Sequence, residues 1–347
     1  MVVIDGSYGE GGGQVLRMAL ALSAILGEPV KVENIRAGRP NPGLQAQHLT
    51  GVMAIARICQ AELKGAELGS KELIFRPRRP PEPGSYFFDV TEARKGGSAG
   101  ATTLVLQTLL MPLALARGTS RLTLRGGTHV SWSPPFHYVK EVLFPTMARM
   151  NVRADASIKQ WGWYPVGGGE IEVTIYGGSR VKGIILNERG KLKRIKGVSA
   201  YSNLPDHVGQ RQKERALELL NRHGFEASIE VVKAPSPGRG SCLFLMAEFE
   251  NVLAGFTSLG EKGKPAEKVA EEAVQEFLDY MRSGAALDRH LADQLILPAA
   301  LAEGPTSFTA ACITKHLLTG VWVVEQFMGR KFAVEGEEGH PGRVSTL

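Results

Sequence analysis

Four short constellations carry the residue types that do phosphate or nucleotide chemistry. The first runs Asp5-Gly6-Ser7-Tyr8-Gly9-Glu10-Gly11-Gly12-Gly13-Gln14-Val15-Leu16-Arg17, a strand end, a glycine-rich turn and a helix start. Free N–H groups and the helix dipole suit such a turn to anions. It is neither a dinucleotide fingerprint nor a P-loop, since no Gly-Lys-Ser/Thr follows. A tight turn needing positive φ would use the same glycines. Glu10, beside the cradle, offers a carboxylate to a metal ion, and Gln14 and Arg17 can share a helix face.

The second constellation, Arg36-Ala37-Gly38-Arg39-Pro40-Asn41-Pro42-Gly43-Leu44-Gln45-Ala46-Gln47-His48, sets two arginines three apart in a loop before a helix. That suits bidentate phosphate binding, although two solvated loop arginines would look the same. Gln47 and His48 follow and could point back to the same ligand. The third, Asp288-Arg289-His290-Leu291-Ala292-Asp293-Gln294-Leu295, places His290, Asp293 and Gln294 on one face of an apolar helix. Polar groups there cost free energy unless paired or used. The fourth, Thr309-Ala310-Ala311-Cys312-Ile313-Thr314-Lys315-His316, joins a strand to a helix, with Thr314 as its cap and His316 in its first turn. The helix dipole there favours a neutral, nucleophilic imidazole and a phosphate bonded to it.

Weaker signals surround these. His129 and His137 flank Ser131-Trp132-Ser133-Pro134-Pro135, a rigid loop that walls a base pocket or merely turns the chain. Gly238-Arg239-Gly240-Ser241 and the basic run Lys191 to Lys196 are RNA contacts or ordinary solvated surface.

The elements that must position these residues repeat. Glycine-containing turns at Gly11, Gly97 and Gly284 each lead into a long apolar helix: Val15 to Leu26, Ala101 to Ala116 and Leu287 to Ala302. Helices so apolar all round belong in a core. A strand follows each (Val30 to Ile35, Arg121 to Leu124, Ser307 to Ile313). Next come a second helix (Gly43 to Cys59, Phe136 to Met150, His316 to Met328) and closing strands (Glu72 to Phe75, Glu170 to Tyr176, Lys331 to Val334). The second and third starts lie about 100 residues further apart than the first and second, which places an insertion between repeats two and three. That insertion, residues 181–281, carries strands at Gly183 to Leu186 and Ala227 to Val232 and helices at Gln210 to His223 and Ala266 to Met281. The fold class is α/β. Three repeated α/β units (1–180 and 282–347) form a large domain, and a smaller inserted α/β domain interrupts it.

Composition bounds the rest. A chain of 347 residues suits about two domains. Its net charge of +6 suits a polyanionic partner. Three scattered cysteines without Cys-x-x-Cys spacing indicate neither a disulfide framework nor zinc, and fit a reducing cytoplasm. Neither a signal peptide nor a membrane span is expected.

Taken in order, Glu10-Gly-Gly-Gly-Gln14 with Arg17, Arg36-Ala-Gly-Arg39 with Pro42-Gly-Leu44, Gln47-His48-Leu49-Thr50, Leu291-Ala-Asp-Gln-Leu295 and His316-Leu-Leu-Thr319 resemble the RNA 3'-terminal phosphate cyclases. The likeness extends to Gly65 to Ser70, Ser98-Ala-Gly100, Leu104-Val-Leu-Gln107 and Tyr164-Pro-Val-Gly-Gly-Gly169, so it runs from end to end. It implies the three-repeat architecture of the enolpyruvyl transferases with an inserted domain. It also implies ATP and a divalent cation, magnesium or manganese, acting on RNA with a 3'-terminal phosphate. By that resemblance His316 would take AMP from ATP, the AMP would pass to the RNA 3'-phosphate, and the 2'-hydroxyl would close a 2',3'-cyclic phosphate. Glu10 would hold the metal and, with Gln14, Gln107, Asp293 and Gln294, the nucleotide. Pro134 or Pro135 would pack near the adenine. Arg17, Arg36, Arg39, Gln47 and His48 would hold phosphates. Some members carry tyrosine where this chain has His290; imidazole also stacks, so adenine binding is expected to persist. A non-catalytic relative would lack His316, and an enolpyruvyl-type transferase would need neither that histidine nor the insert.

Overall fold

In a computed structural model, which describes residues 1–93 and 98–347, the chain forms four four-stranded mixed sheets. Gly97, the second repeat start, lies outside the described residues.

In the first sheet β1 (Val2–Asp5) pairs parallel with β2 (Val30–Glu33), while β3 (Glu62–Lys64) and β4 (Leu73–Arg76) complete the order β1-β2-β4-β3. The second repeats that order with β5 (Ser85–Asp89), β6 (Thr119–Gly126), β7 (Arg153–Gln160) and β8 (Gly169–Tyr176) as β5-β6-β8-β7. Burial alternates along β6 and β8, the signature of sheets with one covered face. The chain then enters β9 (Ile185–Leu186) and leaves for a separate sheet of β10 (Leu192–Ser202), β11 (Ala227–Lys233), β12 (Gly240–Phe249) and β13 (Leu253–Leu259), ordered β11-β10-β12-β13. It returns as β14 (Ser307–Ala310), β15 (Phe332–Glu335) and β16 (Gly342–Thr346), and β9 pairs parallel with β14. The third sheet thus has the same topology as the first two. The strand read as the first of the insertion is the first strand of the third unit, so the interruption falls inside that unit rather than before it.

Two helices serve each sheet. α1 (Gly13–Leu26) and α2 (Ala46–Cys59) belong to the first, α3 (Thr102–Leu115) and the run α4 (Phe136–Tyr138), Val139–Leu143 and α5 (Phe144–Arg149) to the second. The interrupting sheet carries α6 (His207–Arg222) and α7 (Ala266–Ser283). The third sheet has α8 (Arg289–Gln294), α9 (Ile296–Ala300) and α10 (Lys315–Met328). The expected continuous helix from Leu287 is broken at Leu295. Pro298 cannot donate to the carbonyl four residues back and its ring crowds that carbonyl, which belongs to Gln294. Pro145 acts similarly on the second unit, where Val139–Leu143 widens into a π-turn.

The helices close a ring. α2 packs on α3, the π-turn on α8, and α10 on α1, so the second helix of each unit meets the first of the next. α1 is buried along nearly its whole length and has a single charged residue, Arg17, and α3 is as buried. No helix among the described residues is long and apolar enough to cross a membrane.

Arg189 donates to the carbonyls of Tyr280 and Met281 at 3.0 and 2.8 Å, so the chain leaves the third unit and returns at nearly one place. A separable insert needs such closeness. Replacing residues 192–283 by a short linker is expected to leave a soluble, folded chain, destabilised where Tyr138 and Val142 lose the covering backbone at Gly255. Far-ultraviolet circular dichroism with a cooperative melt checks this; a chain unfolded in all conditions would make the segment part of the main core.

Candidate active site

A cleft of about 960 Å³ opens inside the helix ring, and every residue expected to act in catalysis or to hold nucleotide, phosphate or metal lines it. The first unit supplies Glu10, Gln14, Arg17, Arg36, Arg39, Gln47 and His48; the second, Gln107, Pro134 and Pro135; the third, His290, Asp293, Gln294 and His316.

Its centre is a carboxylate between a guanidinium and an imidazole. Glu10 Oε2 lies 2.7 Å from Arg39 Nη2 and 2.9 Å from His316 Nε2. The other imidazole nitrogen, Nδ1, is 2.6 Å from Gln14 Oε1, so both ring nitrogens are held from the glycine turn and α1. Burial pushes the Glu10 carboxyl up, but the hydrogen bond from His316 and the charges of His316, Arg39 and Arg17 outweigh it and the net shift is downward. The glycines leave room for the side chains that meet here. A Cβ on Gly12 would lie 2.3 Å from Glu10 Oε1, and one on Gly13 would lie 2.4 Å from His48 Nε2. At the other end of the pair, Thr314 caps α10 by accepting from Leu317 N at 3.0 Å.

The arginines are less free than their spacing suggests. Arg36, at φ 55°, donates to the carbonyls of Asn41 and Gly43 and so braces its own loop, while Arg39 is engaged by Glu10. Burial lowers the Arg17 guanidinium to about 10 against the pull of Glu10 and Asp293, and it stays charged at neutral pH. Gln47 Oε1 accepts from Ala101 N at 2.9 Å and ties α2 to the start of α3. His48 is buried; burial and the charges of Arg17, Arg36 and Arg39 press it down to about 3. Its Nδ1 accepts from Gln45 N, which leaves a neutral ring with Nε2–H toward the cleft.

On the opposite wall Gln107 donates to Gln294 Oε1 and Gln294 to the His290 carbonyl, both at 2.9 Å. Burial raises the Asp293 carboxyl to about 6, against the opposing charges of His316, His290 and Arg17. Pro134 is fixed through its carbonyl by Thr103 Oγ1 at 2.7 Å. His129 and His137 are not cleft residues. They are bonded to each other at 2.9 Å, and His129 stacks on Trp161 at 4.1 Å within the core beneath the loop.

The roles of three contributors are not legible in the sequence. Buried Asp288 caps α8 through His290 N and Leu291 N, and also accepts from Tyr138 Oη at 2.8 Å and Gly255 N at 3.2 Å. It therefore pins the second unit, the third unit and the interrupting sheet together. Thr257, on β13, presents a hydroxyl that is buried without a partner among the described residues. Glu276, on α7, pairs with His290 at 3.0 Å. Its place on an amphipathic helix offered only a weak signal, an i, i+4 relation to Glu272.

The His290–Glu276 pair has a pH signature. Burial lowers the imidazolium, but the hydrogen bond and charge of Glu276, with Asp288 and Asp293, outweigh it and raise the group from 6.5 to about 9. A raised pKa stabilises the fold fully below the unfolded value, and that contribution is lost as pH rises through about 9. The ring is half exposed, so the effect is screened to below about 1 kcal/mol. Glu276→Gln is expected to melt below the parent at pH 6, with the gap closing by pH 10; a gap independent of pH would remove the ion pair as its cause.

As for relatives, residues 8–334 match the family model described as RNA 3'-terminal phosphate cyclase. Proteins named RNA 3'-terminal phosphate cyclase are similar along nearly their whole length. The one from Methylococcus capsulatus is 54% identical over 93% of this chain and 90% of that protein. That from Nostoc punctiforme is 49% identical over 94% of each, and that from Pyrococcus abyssi 41% identical over 100% of this chain and 99% of its own. Glycine cradle, arginine loop and helix-start histidine all fall inside the matched span, and the chain belongs to the RNA 3'-terminal phosphate cyclase family of enzymes.

Proposed function

We propose that this chain converts an RNA 3'-terminal phosphate to a 2',3'-cyclic phosphate at the expense of ATP, with His316 as the nucleophile. The observation that carries the reading is the bridging of His316 between Gln14 and Glu10 at the start of α10, inside a cleft lined by Arg17, Arg36, Arg39 and Arg289.

Gln14 Oε1 accepts from Nδ1–H, the proton on Nε2 passes to the Glu10 carboxylate beside it, and the bare Nε2 is the attacking atom. Nε2 attacks the α-phosphorus of ATP, a P–N bond forms, and the bond to pyrophosphate breaks. An oxygen of the RNA 3'-phosphate then attacks the same phosphorus, frees His316 and leaves RNA joined to AMP through a diphosphate. The 2'-hydroxyl attacks the 3'-phosphorus, loses its proton, and AMP departs as leaving group. A terminal phosphate has no leaving group of its own; adenylation supplies one while the internal nucleophile is already close. The N-terminus of α10 and the guanidinium of Arg17 face the charge that develops on the phosphoryl oxygens.

A divalent cation fits this donor set in one way only. Among the described residues no cluster of three or more His, Cys, Asp or Glu side chains could hold a metal ion, so Glu10 would share it with the nucleotide's phosphates, as magnesium or manganese permits. When bound, it would supply positive charge to neutralise the phosphates.

Incubation with α-labelled ATP is expected to give an acid-labile protein–AMP adduct in the parent chain. Folded His316→Ala and His316→Asn are expected to lose it by more than about 10³-fold. Adduct formation by either variant would sink the assignment. An RNA ending in a 3'-phosphate but lacking the terminal 2'-hydroxyl is expected to accept AMP and stall, so that the adenylated RNA accumulates. AMP release as fast as from ordinary RNA would mean hydrolysis, and the cyclising step would have to be abandoned.

A further inference from the structure

Trp132 is 96% exposed, whereas Trp161 and Trp163 are 5% and 3% exposed and Trp322 stacks on Tyr8 at 4.0 Å. An indole left in water forgoes the burial that normally places tryptophan inside. Its backbone is left-handed, φ 65°, a conformation that bulky residues adopt only when their surroundings impose it. The imposition is visible on the following residues. Ser133 Oγ donates to the Val130 carbonyl at 2.9 Å, Thr103 holds the Pro134 carbonyl, and Pro134-Pro135 stiffen the run into α4. The loop is thus built to hold an aromatic face outward on the rim of the cleft that contains His316.

Two adjoining loops continue the surface. A backbone bridge joins His129 to Trp163, and the chain beyond it exposes Tyr164 at 76%. Gly238 packs against Val166 of that loop, which brings exposed Arg239 alongside; Arg239 makes no ion pair among the described residues. Aromatic faces interleaved with positive charge, leading to a cleft lined by arginines, match a polyanion with stacking bases. A protein partner would favour a contiguous apolar patch, and Trp132 is instead flanked by Ser131 and Ser133.

We propose that Trp132 is a stacking platform for a base near the 3' end of single-stranded RNA, with Arg239 neutralising a phosphate further along the strand. The proposal deepens the function given above and rests on it. Among the described residues no contact joins Trp132 to His316 or to the Gln14 and Glu10 side chains that hold it, so the adenylation of His316 is expected to be independent of Trp132.

Binding of a short, end-labelled oligoribonucleotide bearing a 3'-phosphate, without ATP, is read by fluorescence anisotropy. Trp132→Ala is expected to weaken it about ten-fold or more, the scale of one lost base stack, while Trp132→Phe restores most of it. Removing the bases of the last two nucleotides should erase the difference between the parent and Trp132→Ala. Arg239→Ala is expected to lower the slope of log affinity against log salt by about 1. Protein–AMP formation from ATP alone should be the same in Trp132→Ala as in the parent. Equal RNA affinity in parent and Trp132→Ala, or a difference that survives base removal, would overturn the platform and leave the exposed face to a protein partner. Slowed adenylation in the folded Trp132→Ala variant would overturn it too, by assigning the indole to the nucleotide. An absent adduct in the parent chain would instead count against the proposed function, since the affinity comparison is read without it.

Discussion

The site depends on one buried carboxylate meeting a guanidinium and an imidazole. Glu10 contacts Arg39 from its own unit and His316 from the third, so a single side chain defines where the glycine turn, the arginine loop and the helix start converge. Removing the Arg39 guanidinium would leave a largely buried charge under-compensated, which costs far more than the pair itself contributes. The local sequence serves this contact. Gly12 and Gly13 leave room for the carboxylate and for His48, and α1 and α10 pack so that Gln14 reaches the imidazole.

The repeated topology explains why a contact between distant units can be so specific. Each sheet presents a first helix to the preceding unit and a second to the following one, and the ring closes when α10 meets α1. The cleft is then floored by apolar helices and walled by the few polar residues those helices carry. The interrupting segment adds a fourth wall. Asp288 draws Gly255 and Tyr138 to the start of α8, and Glu276 reaches His290 from α7.

Much of this was legible in the residues. α1 and α3 are uninterrupted apolar runs, and a helix buried on every side announces itself by having almost no charge. Thr314 before Lys315-His316 is a recognisable cap, and it is seen capping. Strands were harder. Ser85–Asp89 lies at a sheet edge with a half-exposed pattern, and Ile185–Leu186 is only two residues long. The latter was therefore grouped with its neighbours in sequence rather than with Ser307–Ala310, its partner in space. Spacing marked Arg36 and Arg39 as a phosphate fork, but it could not reveal that backbone carbonyls and Glu10 already occupy their donors. Glu276 and Asp288 stayed hidden because their roles are fixed by elements brought together only in the fold.

Gln14 and His316 are separated by 302 residues, yet they share a hydrogen bond at the centre of the cleft. A contact of that span is among the last that chain entropy allows to form, because the loop it closes is nearly the whole polypeptide. During synthesis the glycine turn leaves the ribosome long before the helix that completes it. A nascent or prematurely ended chain has its glycine turn and arginines but no imidazole to meet Glu10 and Gln14. Closure of the contact at the centre of the cleft thus waits until translation has reached the final repeat.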